Sequence, residues 1–428
     1  MLNFKGPRIL IVAPNASAIF GGEAFLPLKY FQLLRRRGHP VQMIAHIRNR
    51  ASLMEALEED LTQIHFVEDT PYHRIIWRVG QIFPASVRSG IFDTMLNLLN
   101  ELYIARLVRL LVKAGEVDLI HQPIPVSPKA PSSLYNFGRP VVIGPMNGGM
   151  TYPAGYDDLE SATARRFIAV ARAAAIAMNW LIPGKRHAAA LLVANERTRA
   201  ALPLTNHPRI VTVVENGVDL SVWHAGTKIS IRRPDEPFQL VFMGRLVALK
   251  AVDITIEAVR LARDRGIDVR LDVFGDGEVR PTLEAQVREL DLESAVSFHG
   301  FQPQSKCSQL LSRADAMILN SVHECGGAVV LEAMSLSLPV IVSDWGGPAD
   351  YVDSTCGILV SPEPRAQFAA RLADSIRQLA DNPKKARAMG EAGRRRIESY
   401  FDWEKKIDHM LMIYDEVFAV ANEGAGRS

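Results

Sequence analysis

Short runs of Val, Ile and Leu alternate along this chain with longer stretches in which apolar residues recur every three or four positions. The short runs predict strands buried on both faces, and the longer stretches predict helices that cover a parallel sheet. In the first half, strands are predicted at residues 8–13, 41–46, 118–121, 141–145, 191–194 and 211–214. Predicted helices between them include residues 25–37 and 92–113.

The alternation starts again after a polar, proline-bearing stretch at residues 228–237. Two doubly wound α/β domains are therefore expected, over residues 1–222 and 223–402. An amphipathic stretch at 403–420 predicts a last helix, and residues 421–428 are expected to be disordered. The second series of predicted strands is 240–243, 269–274, 296–299, 316–319, 340–343 and 358–360.

Composition narrows the class of protein further. With 428 residues the chain is too long for one ordinary core, and 48% apolar with 22% charged residues is typical of a soluble globular protein. A formal charge of +2 indicates no nucleic-acid partner. Three cysteines without metal-ligand spacing favour a reducing compartment, and no signal peptide or membrane-spanning stretch is predicted. A cytoplasmic location is the resulting expectation.

The most informative segment is residues 320–334, where Glu324 and Glu332 lie on either side of Gly326 and Gly327. A buried strand is predicted just before it, and a helix is predicted to begin at Glu332. Free N–H groups where a loop enters a helix suit a phosphate, and ionised carboxylates accept hydrogen bonds from sugar hydroxyls. The segment therefore predicts a nucleotide-sugar site, although solvated glutamates beside an ordinary glycine loop are the plainer alternative.

Other candidate residues follow predicted strands of the second half. Arg245 and Lys250 could clamp a diphosphate, with solvated side chains beside a turn as the alternative. Gly275 lies in a tight turn that can bring backbone close to a ligand. The stretch containing Phe301 could contact a base through its backbone.

In the first half, candidate ligand-binding residues also follow strands. Gly21 and Gly22 come after the first strand, where they either allow close approach of a ligand or form a plain turn. His121 ends a strand and could orient a substrate or assist in acid–base chemistry, but a lone histidine is more often structural. Asn147 and Gly148 could line an acceptor site.

Several common sites are not indicated by the sequence. Paired acidic residues with supporting histidines are missing, so no metal is expected. The loop after the first strand lacks the dinucleotide-binding pattern Gly-x-Gly-x-x-Gly. The sequence also contains no phosphate-binding Gly-x-x-x-x-Gly-Lys-Ser/Thr loop and no nucleophile elbow of a serine hydrolase. The expectation is an enzyme without a cofactor, for which a nucleotide sugar is a co-substrate.

The order of these motifs resembles the retaining glycosyltransferases of family 4, which have the GT-B fold. The resemblance spans nearly the whole chain and is densest at residues 242–345. It implies two facing Rossmann-like domains, with helix 403–420 packing back on the first. The motifs are Gly21-Gly22, His121, Asn216-Gly-Val-Asp219, Gly244-Arg245…Lys250, Gly275-Asp-Gly277 and Glu324-x7-Glu332.

The resemblance also implies roles for individual residues. Arg245 and Lys250 would hold the donor diphosphate, Glu324 would bind hydroxyls of the transferred sugar, and Glu332 the ribose. Gly22 and His121 would approach the donor from the N-terminal domain. The amides around Gly326, Gly327 and Ala328 would contact phosphate or sugar. Family members need no divalent metal, and a front-face mechanism with retention is commonly proposed for them.

The chain departs from the family pattern at two positions and leaves other functions open. Cys325-Gly326 replaces the usual x-Phe after the first glutamate, and Ala251 replaces the glycine that usually follows the lysine.

A nucleotide-sugar epimerase or phosphorylase on the same fold is an alternative function. A binding protein with a degenerate site is another, which the intact charged residues disfavour.

Membrane contact is predicted by a different stretch. Residues 164–186 combine apolar side chains, Trp180 and five basic residues. Such a stretch can lie in a membrane interface, where anionic lipid and a lipid-linked acceptor would be available at the inner leaflet. A buried helix with an exposed basic edge is the alternative.

Overall fold

The chain folds into two α/β units, each built on one parallel sheet. This computed structural model describes residues 6–18, 22–58, 60–83, 88, 92–159, 174–204, 206–223 and 236–425. By internal contacts, unit 1 comprises Met1–Gly149, Ala169–Glu215 and Ile407–Ser428, and unit 2 comprises Met150–Ile168 and Asn216–Lys406. The predicted domain limits at residues 222 and 402 stay a prediction.

Unit 1 contains a seven-stranded sheet in the order β3-β2-β1-β4-β5-β6-β7, with every described pair of neighbours parallel. The inner strands β1, β2, β4, β5 and β6 are buried because their Val, Ile and Leu side chains are covered on both faces, whereas the edge strands β3 and β7 are only partly buried. The strands are β1 Ile9–Val12, β2 Val41–His46, β3 Ile64–Val67, β4 Leu119–Gln122, β5 Val141–Met146, β6 Ala190–Val193 and β7 Ile210–Thr212.

Unit 2 contains a six-stranded parallel sheet in the order β10-β9-β8-β11-β12-β13. Its central strands β8, β11 and β12 have almost no exposed side chains, as expected for a sheet covered on both faces. The strands are β8 Phe238–Met243, β9 Val269–Phe274, β10 Val296–Gly300, β11 Ala316–Leu319, β12 Val340–Ser343 and β13 Gly357–Val360.

Helices connect the strands in both units. In unit 1 they are α1 Phe25–Arg36, α2 Arg50–Ala56, α3 Pro71–Gly80, α4 Asp93–Lys113, α5 Gly184–His187 and α6 Glu196–Ala200. Unit 2 adds α7 Val252–Asp264, α8 Arg280–Glu289, α9 Gln304–Leu311, α10 Ala328–Ser335, α11 Gly347–Tyr351, α12 Phe368–Asp381 and α13 Pro383–Arg396. A π-helical turn, Ile397–Phe401, precedes the last helix, α14 Trp403–Ala425.

The last helix begins in unit 2 and returns to unit 1, as the predicted fold class requires. From Ile407 onward it groups with unit 1, where Asp408 forms an ion pair with Arg37 at 2.7 Å. Tyr414 is buried there beside the central strand β4. The structure thereby confirms the predicted doubly wound fold with a returning C-terminal helix.

The strand and helix predictions differ from the structure in three places. Strand β3 was not predicted, because Ile64-His-Phe-Val67 is short and only its two ends are buried. Residues 421–425 are helical and not disordered as expected. Helix α10 begins at Ala328, four residues before the predicted start.

No helix among the described residues is long and apolar enough to cross a membrane.

Candidate active site

The sheet of unit 2 reverses its strand order between β8 and β11, which are hydrogen-bonded neighbours. In open parallel sheets, ligands bind at such a reversal, beyond the carboxyl ends of the two strands. The loop after β8 carries Arg245 and Lys250, and the loop after β11 carries Glu324. The topology therefore places three predicted site residues at the position where this fold binds ligands.

Lys250 and Glu324 are joined by a salt bridge between Nζ and Oε2. Both side chains are mostly buried, with 15% and 18% of their surfaces exposed. Their loops are also joined by the backbone, because the Val322 N–H donates to the Leu249 carbonyl at 2.9 Å. The structure thus brings together a lysine predicted to bind phosphate and a glutamate predicted to bind sugar.

Asn320 fixes the spacing of these two loops, although the sequence did not mark it as important. It is fully buried at the end of β11. Its amide donates to the Ala251 carbonyl at 2.8 Å, and its Oδ1 accepts from the Thr255 hydroxyl at 2.6 Å. Since Ala251 directly follows Lys250, Asn320 anchors the lysine relative to the start of the Glu324 loop, residues 320–327.

Arg245 lies on the exposed side of the same loop. Among the described residues its guanidinium has neither an ion pair nor a hydrogen-bond partner. Five donors on a planar group are thus available to an anion at the loop that also carries Lys250.

Gly275 has a packing role in the structure, and its predicted approach to a ligand stays a prediction. A Cβ at this position would overlap the carbonyl oxygen of Gly244, so the glycine lets the loops after β8 and β9 pack backbone against backbone. Its N–H also donates to the Gly300 carbonyl at 2.8 Å. Close approach to the neighbouring loop therefore explains this glycine without a ligand. Phe301, just beyond β10, is exposed over 79% of its surface.

The Glu324 loop ends at Gly327, which has φ +96° and caps the N-terminus of α10. No side chain caps this end of the helix. The first N–H groups of α10 and the positive end of its dipole are therefore available to an anion. The sequence placed the helix start too late because no Ser, Thr, Asp or Asn marks its cap and β-branched Val329-Val330 opens it.

Glu332 consequently lies in the second turn of α10 and not in the first. Burial raises the pKa of its carboxyl group to about 7. The carboxylate has no ion pair or hydrogen bond with a described residue, and its charge adds to burial in raising the pKa of the Cys307 thiol. A desolvated carboxylate without a partner is well suited to accept hydrogen bonds from a ligand.

Two further glycines hold the Glu324 loop from the next strand, and sequence reasoning missed both. Gly346 and Gly347 follow β12, and the Gly347 N–H donates to the Glu324 carbonyl at 2.8 Å. A Cβ on Gly347 would overlap the carbonyl oxygens of Cys325 and Gly326. The pattern Trp-Gly-Gly-Pro could have been noticed as a turn after a strand, but nothing in it identifies the loop it packs against.

Residues 150–159 of unit 2 also pack on the Glu324 loop and the strands beside it. The ring of Tyr152 lies 4.6 Å from that of His323, the residue before Glu324. Trp345 donates from Nε1 to the Thr151 carbonyl at 2.9 Å. Tyr156 is buried and donates to the Pro362 carbonyl at 3.2 Å. These distant contacts leave no local sequence signal.

In unit 1, His121 has a structural environment that corrects the role predicted for it. The ring is fully buried, donates from Nε2 to the Gly144 carbonyl at 2.7 Å and accepts at Nδ1 from the Tyr414 hydroxyl at 2.8 Å. Burial lowers its pKa to about 4, so the ring is neutral. With both nitrogens occupied, His121 is not placed to contact a sugar or exchange a proton.

Asn147 and Gly148, predicted on the acceptor side, belong to a buried polar network. Asn147 donates from Nδ2 to Glu215 at 2.5 Å, and the Gly148 N–H donates to the Thr198 hydroxyl at 3.1 Å. Only 5% of Asn147 is exposed. This geometry gives the pair a structural role and does not support contact with an acceptor.

The glycine pair after β1 is only partly described. Gly21 lies outside the described residues. Gly22 has φ +64°, and a Cβ there would meet no atom of the described residues within 4 Å. The left-handed conformation explains why glycine is present, and its approach to a ligand stays a prediction.

Two Rossmann-like parallel sheets with a C-terminal helix returning to the first unit define the GT-B class of fold. Residues 227–396 match the family described as glycosyl transferases group 1. The matched segment contains Arg245, Lys250, Glu324 and Glu332, so the candidate site lies within the part of the chain that is similar to the group 1 glycosyltransferases.

Two relatives cover part of the chain. Glycogen synthase of Mycobacterium tuberculosis is 31% identical over 206 residues, which are 48% of each protein. The α-D-kanosaminyltransferase of Streptomyces kanamyceticus is 28% identical over 242 residues, which are 54% of this chain and 61% of the relative. The chain therefore spans about half the length of the curated relatives it matches.

A solved structure is similar over nearly the whole chain. HepE of Anabaena, crystallised with UDP, superposes with a TM-score of 0.67 and covers 96% of this chain and 100% of its own. At 17% identity the similarity establishes the fold.

Proposed function

We propose that this protein is a retaining glycosyltransferase of family 4 that takes a sugar from a nucleoside-diphosphate sugar. The observation that carries the proposal is the Lys250–Glu324 salt bridge at the β8/β11 reversal, beside Arg245 and the uncapped N-terminus of α10. A diphosphate needs fixed positive groups, and a sugar needs oxygen acceptors next to them. UDP in the HepE crystal and the transferase names of the relatives support this class of donor.

Binding would begin with the diphosphate. Arg245 would supply a guanidinium without a partner among the described residues, Lys250 a point charge, and the amides of Gly327 and Ala328 the end of a helix dipole. As phosphate oxygens take hydrogen bonds from Lys250, its hold on Glu324 weakens. The Glu324 carboxylate then becomes free to accept hydrogen bonds from hydroxyls of the sugar.

Glu332 would hold the nucleoside part. Its carboxylate lies one helical turn beyond the amides that bind phosphate, and no described side chain occupies it. Two ribose hydroxyls can donate to its two oxygens. A ligand that supplies these donors stabilises the charged carboxylate and lowers its pKa from about 7.

Transfer breaks the bond between the anomeric carbon and the phosphate oxygen, and the electron pair leaves with the nucleoside diphosphate. The acceptor hydroxyl forms the new bond on the same face, and its proton passes to the departing phosphate. Arg245, Lys250 and the α10 amides are fixed before the charge develops, so they stabilise the transition state more than the ground state. Loss of one such group costs roughly 3 kcal/mol, or about a hundredfold in rate.

The acceptor is proposed more broadly as a glycan, a lipid-linked sugar or a small molecule, in polysaccharide or glycoconjugate synthesis. We place the protein in the cytoplasm with contact to the inner face of an anionic membrane, and we expect no cofactor and no metal. Transfer should therefore continue in EDTA. Loss of activity in EDTA that Mg²⁺ restores would contradict metal independence.

A thermal-shift screen of UDP-, GDP- and ADP-sugars tests the donor class. A bound donor at a hundred times its dissociation constant adds about 2.7 kcal/mol to the folded state. One nucleotide series should raise the melting temperature in the wild type and fail to do so in Arg245→Ala. No shift with any nucleotide sugar would overturn the proposal.

Incubation of the stabilising donor by itself then separates the alternatives. An epimerase would return an isomerised donor, whereas a transferase would return the donor unchanged or slowly hydrolysed. A phosphorylase would require inorganic phosphate. A protein that binds the donor but turns over none of the offered acceptors would fit the degenerate binding protein.

A further inference from the structure

Helix α3 of unit 1 exposes the side chains that a helix of this composition would normally bury. Its buried residues are His73 and Gly80 alone. Ile75 and Trp77 are each 57% exposed, and Ile82, just beyond the helix, is 81% exposed. An amphipathic helix in a water-soluble domain turns its apolar side chains to the core, so this surface is adapted to an apolar environment.

Helix α4, which packs against α3, also exposes apolar side chains. Met95, Leu98 and Leu102 are exposed at spacings of three and four residues, which places them on one face of the helix. The two helices are held together by His73, whose Nε2 lies 3.0 Å from Oδ1 of Asn100. The apolar side chains of α3 and α4 therefore belong to one packed pair of helices.

A third helical stretch, residues 174–181, adds Ile176, Trp180 and Leu181, which are 60%, 67% and 68% exposed. It borders the same loop as α4. Asn179 donates to the Lys129 carbonyl at 2.9 Å, and Glu101 of α4 accepts from Ser133 in that loop. The sequence predicts membrane contact for residues 164–186, and in the described part Ile176, Trp180 and Leu181 are exposed whereas Asn179 and Lys185 are buried.

The charges of these helical segments favour an anionic membrane as the partner of their apolar side chains. Residues 71–83 contain Arg74 and Arg78, both exposed, and no Asp or Glu; residues 174–187 contain exposed Arg186 and again no acidic residue. Glu101 of α4 is turned inward, and burial raises its pKa. Exposed Trp and Ile interleaved with arginine suit the headgroup region of an anionic bilayer.

We propose that unit 1 docks on an anionic membrane through this apolar surface, formed by α3 with Ile82, the exposed face of α4 and residues 176–181. The inference specifies the membrane contact included in the proposed function but does not depend on glycosyl transfer. Apolar side chains would enter the interface while arginines contact lipid phosphates. A second copy of the chain is the competing occupant.

The test is co-sedimentation of the full chain with vesicles of phosphatidylglycerol and phosphatidylcholine, against vesicles of phosphatidylcholine alone. The wild type should bind the anionic vesicles and release them as salt rises. Trp77→Ser/Ile82→Ser should bind at least tenfold more weakly. Arg74→Gln/Arg78→Gln should also bind more weakly, by about fivefold for each arginine, and with a smaller salt dependence.

The matched control is Met412→Ser/Val420→Ser. It removes two apolar side chains of α14 that, like Trp77 and Ile82, are more than half exposed. This variant should bind vesicles like the wild type, and so should Glu324→Gln, which separates membrane binding from transfer. All substituted side chains on the apolar surface are exposed, so folding should be retained. Circular dichroism checks this.

Three results would overturn the proposal. The wild type could remain in the supernatant with anionic vesicles at low salt. Binding could be the same in Trp77→Ser/Ile82→Ser as in the control. Gel filtration could show a dimer that the same double variant dissociates, which would assign the surface to a second copy of the chain.

Discussion

At the scale of single residues, the charged groups of the candidate site could be selected from the sequence, whereas the residues that they contact could not. Arg245, Lys250 and Glu324 follow strands, and the carboxyl ends of strands are where this fold binds ligands. The Lys250–Glu324 salt bridge joins residues 74 positions apart. Asn320 and Gly347, which hold those loops, look like ordinary residues of a strand end and a turn.

His121 shows why a strand-end histidine is an ambiguous signal. The sequence placed it at the carboxyl end of β4, but Tyr414, 293 residues away, covers it. Only the return of α14 to unit 1 makes that contact, and no pattern near His121 indicates it.

Glu332 predicts a pH dependence of donor binding. Only the ionised carboxylate can accept two ribose hydrogen bonds, and its pKa in the free protein is about 7. The dissociation constant of a nucleotide sugar should therefore rise about tenfold between pH 8 and pH 6. Calorimetry at the two pH values measures it, with a nucleotide sugar because its diphosphate does not titrate in this range.

Glu332→Gln is the control for that measurement. It should bind the donor more weakly at pH 8 and lose most of the change between pH 8 and pH 6. An unaltered pH dependence in this variant would show that another group is responsible.

Buried His121 predicts a loss of stability in acid. Its pKa is about 4 in the folded protein and 6.5 in the unfolded chain, so the unfolded chain takes up the proton first as pH falls. The contribution of neutral His121 to the free energy of unfolding is complete well above pH 6.5. By pH 4 it has fallen by about 3 kcal/mol.

Urea unfolding of wild type and His121→Gln from pH 7 to pH 4 measures this contribution. Glutamine can keep one hydrogen bond to Gly144 and one to Tyr414 without titrating. The stability difference between the two proteins should shrink or reverse in favour of the variant by pH 4. A constant difference across the range would mean that His121 does not titrate as described.

At the scale of secondary structure, strands buried on both faces were predictable and helix starts were not. Strands such as β11 and β12 are continuous apolar runs, so the hydrophobic pattern alone is enough to predict them. The start of α10 is set by Gly327 in a left-handed conformation, which packing of the neighbouring loops determines. Edge strand β3 has too few buried side chains to differ from a loop in the sequence.

The start of α7 provides a prediction about local strain. Ala251 has φ 50° and ψ 40°, a left-handed conformation that costs a non-glycine residue roughly 1–2 kcal/mol. Relatives in the family that the sequence resembles usually have glycine here. Ala251→Gly should therefore be less destabilising, by about 1–2 kcal/mol, than Ala258→Gly in the same helix.

Ala258 is a matched control because it is also buried but lies in the regular interior of α7. Both substitutions remove one buried methyl group, so the difference reports the backbone conformation. Thermal or urea unfolding of the two variants gives the comparison. Equal losses of stability would show that Ala251 is not strained.

At the scale of the whole molecule, repetition of the strand pattern was enough to predict two doubly wound units. The pattern does not reveal that the chain crosses between the units more than once: residues 150–159 lie between strands β5 and β6 of unit 1 yet group with unit 2. Tyr152 and Tyr156 make this attachment. Such contacts depend on distant surfaces and leave no periodic signal.

Titration of the nucleoside diphosphate alone, without a sugar, tests most directly whether Arg245, Lys250 and Glu324 form one donor site. If diphosphate and Glu324 compete for Lys250, Glu324→Gln should bind the diphosphate as tightly as wild type or up to about fivefold more tightly, because an ion pair of this kind contributes up to about 1 kcal/mol. The same variant should fail in sugar transfer.

Lys250→Met and Arg245→Ala should each weaken diphosphate binding at least tenfold while circular dichroism shows an intact fold. Wild-type affinity in both lysine and arginine variants, together with full transfer by Glu324→Gln, would contradict a donor site at the β8/β11 reversal.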